Sequence, residues 1–122
     1  LAAGAGGLLR FPRQLPYRVA MELALTGDFM DAARAKDLGF INQTVPEGEA
    51  FAAAQELAVK IAGNGPLAVK LSKQVVRDSE DWSTGEMFGR QQDILQPVFT
   101  SEDAIEGAVA FAEKRAPNWK GR

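Results

Sequence analysis

The sequence of 122 residues contains neither cysteine nor histidine. Without cysteine, the chain has no disulfide, no thiol nucleophile and no thiolate metal ligand. Without histidine, it lacks the commonest metal ligand and the side chain most often used as a general base near neutral pH. We therefore predict no metal site, and any acid or base chemistry must come from carboxylates, lysines or Tyr17.

Long hydrophobic runs and a large charge of one sign are also missing. No segment approaches the ~20 apolar residues of a membrane helix, and no charged start precedes an apolar block. Fourteen basic and sixteen acidic residues leave a net charge of −2, which gives no general attraction to nucleic acid or anionic membrane. We expect a cytoplasmic protein with no nucleic-acid or membrane partner. Because the chain begins at Leu1 rather than methionine, we also expect it to be the remainder of a longer polypeptide.

Residues 20–45 predict a helix, a turn, a second helix and a short strand. An apolar helix over Val19 to Thr26 runs into a Gly-Asp turn. Asp31 is a suitable N-cap for the second helix, because its carboxylate can accept bonds from first-turn N–H groups, and Gly39 can adopt the left-handed conformation that closes it. The β-favouring run 40–45 then predicts one strand, which ends before Pro46.

The remaining pattern is mainly helical. The region before the Gly-Asp turn is predicted to form two short helices with a break near Leu15, and Pro16 takes the first helical position of the second, which runs through Met21 and Leu25. Further helices are predicted over residues 48–62, from Pro66 onward, from Ser83 to Pro97, and from Thr100 or Ser101 to the C-terminal region. Ser83-x-x-Glu86 and Thr100-x-x-Asp103 resemble capping boxes. Residues 63–65 are the predicted boundary between two parts of the chain.

Polar candidates in the first part are few. Glycines at positions 4, 6 and 7 allow a tight turn that brings N–H groups near a ligand, although such a motif alone is usually only a turn. Arg10, Arg13 and Arg18 favour a solvated helix face over a phosphate site. Glu22 lies in an apolar helix without an obvious partner, which favours a solvent-facing carboxylate.

Four segments occur together in the order typical of the enoyl-CoA hydratase/isomerase (crotonase) family. They are GAGG at residues 4–7, LTGDFMDAARAKDLGFINQTVP at 25–46, NGPLAVKLSK at 64–73 and FTSEDAIEGAVAFAEKRAPNWKGR at 99–122. The chain thus resembles the C-terminal half of this family. The resemblance implies an α/β fold of ββα-spiral type, to which residues 1–63 contribute the end of the core and residues 64–122 a helical oligomerisation subdomain.

The resemblance also implies roles for three residues. The backbone N–H of Gly4 would position the reacting water, while Phe111 and Lys114 would contact the adenine and 3′-phosphate of coenzyme A. Ala3 stands where the family usually has proline, a departure that loosens the turn. For Phe111 the alternative is core packing, and for Lys114 a solvated charge. Trp82 and Trp119 are predicted to be packing or interface residues.

The implied activity is the addition of water to 2-enoyl-CoA thioesters, with the coenzyme A thioester as substrate and no further cofactor. In the family, both catalytic glutamates and both oxyanion-hole N–H groups precede the GAGG turn, so this chain alone is predicted to lack them. The alternatives are another crotonase-type reaction, namely isomerisation, dehydration or thioester hydrolysis, and a non-catalytic helical module that self-associates. A homo-oligomer, a trimer or a dimer of trimers, is expected as partner.

Overall fold

The computed structural model describes residues 2–122, which form seven α-helices and one 3₁₀ helix. In chain order they are α1 Gly7–Gln14, α2 Tyr17–Thr26, α3 Ala32–Asp37, α4 Ala50–Ala62, α5 Pro66–Asp78, the 3₁₀ helix Ser79–Asp81, α6 Met87–Phe99 and α7 Glu102–Glu113. None of the helices in this part is long and apolar enough to cross a membrane. The mainly α prediction is confirmed for the described residues.

The chain divides into two compact units, Leu1–Ala53 and Ala54–Arg122. The division falls inside α4 rather than at residues 63–65. Gly63 and Gly65 both contact Trp119 of the second unit, the first through its carbonyl and the second by packing. The predicted boundary at residues 63–65, between the end of the core and the oligomerisation subdomain, stays a prediction.

The first unit is built around the α1 to α2 hairpin. Its buried centre is Leu15, Ala20 and Leu23, and the partly buried side chains packed on it are Phe11, Val19, Met30, Leu38 and Phe40. The predicted break near Leu15 is confirmed, because Leu15 has extended backbone between the two helices. Pro16 is the N-cap of α2 rather than its first residue.

The predicted strand at 40–45 is wrong, since residues 2–122 contain no strand. The N–H of Phe40 bonds to the Ala35 carbonyl and that of Gly39 to the Lys36 carbonyl, which is the Schellman pattern closing α3. The Phe40 ring then packs edge to face on Phe11, with ring centroids 5.8 Å apart. A strand also needs a neighbour to share its hydrogen bonds, and the described residues offer none.

Both ends of α3 confirm the predictions, whereas the starts of α6 and α7 correct them. Asp31 caps α3 by accepting a bond from the Arg34 N–H at 2.7 Å, and Gly39 is left-handed with φ +75°. However, α6 begins at Met87 because the Ser83 hydroxyl donates to the Glu86 carboxylate instead of capping a backbone N–H. The cap of α7 is Ser101, which accepts from the Ala104 N–H, and not Thr100. Helix α6 also continues past Pro97 to Phe99.

The second unit combines α5, α6 and α7 with an extended C-terminal segment. Helix α5 packs on α6, and α6 on α7. Ala110 is buried on α7, together with the polar Ser101 and Asp103. Residues 115–122, here called the tail, follow α7 without regular secondary structure. The second unit thus depends on polar contacts of α7 as well as on apolar packing.

Candidate functional site

Gly4 lies in the turn that leads into α1, as the glycine pattern predicts. It is exposed, and no described atom lies within 4 Å of the position that a Cβ would occupy. Its N–H donates to the Ala2 carbonyl at 2.8 Å. The turn therefore presents Gly4 at the surface with its N–H already engaged, and the water-positioning role stays a prediction.

Other candidates of the first unit are surface residues. Arg10, Arg13 and Arg18 are all exposed, in agreement with a solvated face. Glu22 is also exposed, but it has a partner that the sequence did not indicate, because Nη2 of Arg34 lies 3.4 Å from both of its carboxylate oxygens. This ion pair joins α2 to α3.

Phe111 and Lys114 lie together at the C-terminal end of α7. Phe111 belongs to the last turn of the helix and is 88% exposed, which rules out core packing within the described residues. Lys114 follows the helix directly and is exposed as well. It makes no ion pair with any carboxylate in residues 2–122. The structure thus places an apolar ring and an unpaired ammonium three positions apart.

The backbone at Lys114 is left-handed, with φ 54° and ψ 38°. It is the one non-glycine residue with positive φ in the described part of the chain. The N–H of Lys114 bonds to the Phe111 carbonyl and that of Arg115 to the Ala110 carbonyl. This is the same Schellman pattern that closes α3, and it turns the tail back along α7.

Arg115 anchors the start of the tail to two carboxylates of α7. Its Nη1 and Nη2 donate to Glu106 at 2.6 and 3.0 Å, and its Nε donates to Glu113 at 2.6 Å. Glu106 also accepts the N–H of Asn118 at 2.6 Å. The bonds from Arg115 and Asn118 lower the pKa of Glu106 to about 2, and the two carboxylates raise the pKa of Arg115. Both groups therefore stay charged across the physiological range.

Asp103 anchors the end of the tail. Its carboxylate is buried and accepts the backbone N–H groups of Lys120 at 2.6 Å and of Gly121 at 2.8 Å. Its own N–H donates to the Arg122 carbonyl at 3.3 Å. The capping-box prediction for Asp103 is wrong because this carboxylate serves a segment 17 and 18 residues away rather than the start of its own helix.

Trp119 holds the middle of the tail. Its Nε1–H donates to the Gly63 carbonyl at 2.8 Å, and its ring covers Gly107, where a Cβ would lie 3.2 Å from the indole. This confirms the prediction of a packing residue. Trp82 instead contacts Arg90, whose guanidinium carbon lies 5.9 Å from the indole centroid.

The tail contacts are the feature that the sequence reasoning missed. The available signal was the spacing of Asp103 and Glu106, since residues three apart lie on one face of a helix. Both acids precede a C-terminal segment with several cationic side chains, and its backbone N–H groups are further donors for a carboxylate. The spacing alone does not say that this segment returns along the helix.

No acidic residue shows the raised pKa that a general acid needs at neutral pH, among those with a resolved shift. The Ser83 hydroxyl and the Arg90 guanidinium lower the pKa of Glu86, as Arg115 lowers that of Glu106. Within residues 2–122, no three carboxylates are grouped closely enough to hold a metal ion. What the second unit offers is an exposed aromatic ring and an exposed ammonium, those of Phe111 and Lys114, at the end of α7.

The chain matches the family model described as "Enoyl-CoA hydratase/isomerase" over residues 1–122. Enoyl-CoA hydratase EchA19 of Mycobacterium tuberculosis is 46% identical over 117 residues, which are 96% of this chain and 44% of that protein. Carnitinyl-CoA dehydratase of Proteus mirabilis is 41% identical over 97% of this chain and 47% of its own length.

A solved enoyl-CoA hydratase from Mycobacterium tuberculosis H37Rv matches with a TM-score of 0.96 and 55% identity, over all of this chain and 48% of that one. The enoyl-CoA hydratase EchA1 of Mycobacterium marinum gives 0.97 and 54%, again over 48% of its length. The solved relatives are crotonase-fold proteins, and this chain corresponds to about half of each.

The chain spans about half the length of the curated relatives that it matches. The residue range of the family match refers to this chain and not to positions in the relatives. The match therefore establishes the family, and the placement in the C-terminal half stays a prediction. With a match over every residue and several relatives above 40% identity, the chain belongs to the enoyl-CoA hydratase/isomerase family.

Proposed function

We propose that this chain is the CoA-contacting, C-terminal half of an enzyme that adds water to 2-enoyl-CoA thioesters. The observation that carries the proposal is the exposed pair of Phe111 and Lys114 at the end of α7. An aromatic ring can stack on adenine, and an ammonium without a carboxylate partner can pair with a phosphate. Relatives named as enoyl-CoA hydratases support the same reaction class.

The proposed reaction needs more than these residues supply. Water adds across the double bond conjugated to the thioester carbonyl, which two N–H donors polarise while carboxylates move the protons. In this proposal those groups belong to the preceding half of the polypeptide. The Gly4 N–H would help to hold the water, for which its bond to the Ala2 carbonyl must be exchanged.

The placement in the C-terminal half can be tested with two chimeras. One joins the first half of EchA19 before Leu1, and the other joins the second half of EchA19 after Arg122. Hydration of crotonyl-CoA is followed by the loss of the conjugated thioester absorbance. We expect turnover from the first chimera and none from the second or from the 122-residue chain.

Each other result contradicts a specific part of the proposal. Turnover by the 122-residue chain alone would mean that its own carboxylates do the chemistry. Activity of the second chimera only would place the chain in the N-terminal half. A folded but inactive first chimera would argue against hydration as the reaction.

The role of Lys114 has a separate test. Lys114→Ala removes the ammonium, so binding of CoA should weaken through the lost 3′-phosphate contact, while 3′-dephospho-CoA should bind as before. Calorimetric titration of both ligands measures the difference. Equal losses for the two ligands would contradict the assigned role.

Dehydration is the second candidate reaction, because carnitinyl-CoA dehydratase matches 97% of the chain at 41% identity. Comparing turnover of carnitinyl-CoA and crotonyl-CoA by the first chimera distinguishes the two.

The non-catalytic alternative is a helical self-association module. For either function we propose an oligomer built from trimers, since many large apolar side chains of α4 to α7 are exposed, Phe51, Val59, Val76, Phe88 and Ile105 among them. Sedimentation of a monomer at micromolar concentration would contradict this.

A further inference from the structure

We propose that Glu106 is a positioning residue for the phosphate-binding lysine. By clamping Arg115, it holds the left-handed turn that carries Lys114, three residues after the exposed Phe111, and so gives the site its preference for the 3′-phosphate of CoA. This inference rests on the proposed function of Phe111 and Lys114.

The turn at the end of α7 holds an unexpected residue type. Helices α2 and α3 also end in left-handed residues, and there the chain uses Gly27 and Gly39, with φ +73° and +75°. At the end of α7 the same backbone position holds Lys114. A Cβ is disfavoured in this region, so a lysine persists there when its surroundings impose the conformation. Strained residues of this kind concentrate at functional sites, which points to a use for the Lys114 side chain.

The contact between Glu106 and Arg115, here called the clamp, has a fixed geometry. Arg115 directly follows Lys114, and its guanidinium forms two parallel bonds with Glu106, nine residues earlier on α7. A bidentate pair fixes both distance and orientation, unlike a single point-charge contact. Because Glu106 also accepts the Asn118 N–H, it binds the tail at a second point beyond the turn. One side chain thus fixes the backbone direction from which the Lys114 side chain leaves.

The charges around the turn are distributed unevenly between Arg115 and Lys114. Glu113 precedes Lys114 and would be its nearest neutralising partner in sequence, but its carboxylate is taken by Arg115 Nε at 2.6 Å. Arg115 is therefore neutralised by two carboxylates, while Lys114 remains without one in the described part of the chain. The clamp thus leaves the Lys114 ammonium available at the end of α7, where Phe111 is exposed as well.

The test compares the dissociation constants of CoA and 3′-dephospho-CoA, measured by calorimetry on the 122-residue chain and on the first chimera. Glu106→Gln removes the charge of the clamp while keeping its shape. We expect the preference for CoA to fall by about tenfold, the equivalent of one charge-assisted contact, while the affinity for 3′-dephospho-CoA changes less than about twofold. Near-ultraviolet circular dichroism checks that Trp119 remains packed.

Two further variants make the result decisive. Glu102→Gln is the matched control, because Glu102 lies on the same helix and pairs with the exposed Arg122 rather than with Arg115. It should leave the preference unchanged. Arg115→Lys keeps the charge but cannot form the bidentate pair, so it should lower the preference for CoA over 3′-dephospho-CoA. This variant tests the clamp independently, should Glu106→Gln fail to fold.

The outcomes separate this inference from the proposed function. If Lys114→Ala abolishes the preference but Glu106→Gln and Arg115→Lys leave it intact, the clamp has no positioning role and the CoA site stands. Equal weakening of both ligands by Glu106→Gln would make Glu106 merely structural. If Lys114→Ala itself leaves the preference unchanged, the phosphate site is wrong and the positioning role falls with it.

Discussion

Asp103 shows at the scale of one residue how a carboxylate can organise backbone. It is 6% exposed and accepts two main-chain N–H groups, those of Lys120 and Gly121. A buried charge is tolerated when several donors surround it, because the hydrogen bonds replace those that water would make. The tail N–H groups would otherwise have no partner in regular secondary structure.

We expect Asp103→Asn to destabilise the fold by about 1–3 kcal/mol. An amide has one acceptor oxygen, so it turns its NH₂ group toward one of the two N–H donors and leaves that donor unsatisfied. Urea unfolding monitored by circular dichroism measures the change. Asp93→Asn is the control, because Asp93 is exposed on α6, and it should stay within about 0.5 kcal/mol of the parent chain. Equal effects would contradict the role of the two bonds.

Lys114→Gly should raise stability while it removes the proposed phosphate contact. The left-handed conformation costs a non-glycine residue about 1–2 kcal/mol, a cost that the glycine variant avoids. Part of this gain is lost, because glycine loses about 0.5–1 kcal/mol more of conformational entropy on folding. The expected net gain in unfolding free energy is about 0–1.5 kcal/mol. Lys114→Ala keeps a Cβ in the strained position and is the matched control, with no gain expected. A loss of stability for Lys114→Gly would show that the turn is not strained.

At the scale of the elements, hydrogen bonds at helix ends decide where each element begins and stops. Phe40 gives its N–H to the closure of α3, so a sequence suited to a strand forms bends instead. Ser101 has a dual role, because its hydroxyl accepts from Ala104 N–H at 3.0 Å and donates to the Val98 carbonyl at 2.7 Å. It therefore links the end of α6 to the start of α7.

Ser101→Ala should cost about 1–2 kcal/mol of stability, because α7 loses its N-cap. The neighbouring Thr100→Ala is the control. The Thr100 hydroxyl is exposed and reaches only the Gln96 and Pro97 carbonyls, at 3.4 and 3.5 Å, so its loss should stay within about 0.5 kcal/mol. Thermal and urea unfolding of the two variants decide between the caps. A larger effect at Thr100 would restore the start that the sequence pattern predicts.

At the scale of the whole molecule, the second unit is closed by contacts between residues far apart in the chain. Trp119 bonds to the Gly63 carbonyl across 56 residues, and the tail reaches both Asp103 and Glu106. Because Ala110 is the one buried hydrophobic residue among the described residues of this unit, polar contacts of the tail take a large share of its cohesion. The stability of the unit should therefore depend on pH.

The expected pH dependence follows from Glu106. Its pKa is about 2 in the folded chain, against an ordinary value of 4.5, because Arg115 and the Asn118 N–H bind the ionised form. A carboxyl with a lowered pKa contributes its full stabilisation above the ordinary value, and that contribution is lost as the pH falls from about 4.5 toward 2.

Thermal unfolding between pH 6 and pH 2 measures this effect. In Glu106→Gln the melting temperature should be lower at pH 6 and should fall less steeply below about pH 4.5. Glu86, whose pKa is also lowered, contributes acid sensitivity in the same direction, and Glu86→Gln therefore serves as a comparison. Identical acid profiles for the parent chain and Glu106→Gln would contradict the role of Glu106.

The sequence by itself determined most of the helices, the cap at Asp31, the closure at Gly39 and the break near Leu15. These features depend on hydrogen bonds and dihedral preferences within a few residues, which local sequence encodes. It also indicated that Phe111 and Lys114 lie near the end of the last helix, but the i, i+3 relation of a helix does not hold for this pair, because the left-handed Lys114 lies beyond the end of α7.

Only the tertiary structure decided the rest. It assigned Asp103 to the tail, paired Glu22 with Arg34, packed Phe40 on Phe11 and left Phe111 at the surface. The three contacts join residues that no local pattern relates. Their formation depends on how the whole chain returns on itself, and the contacts at both ends of each loop must offset the entropic cost of closing it.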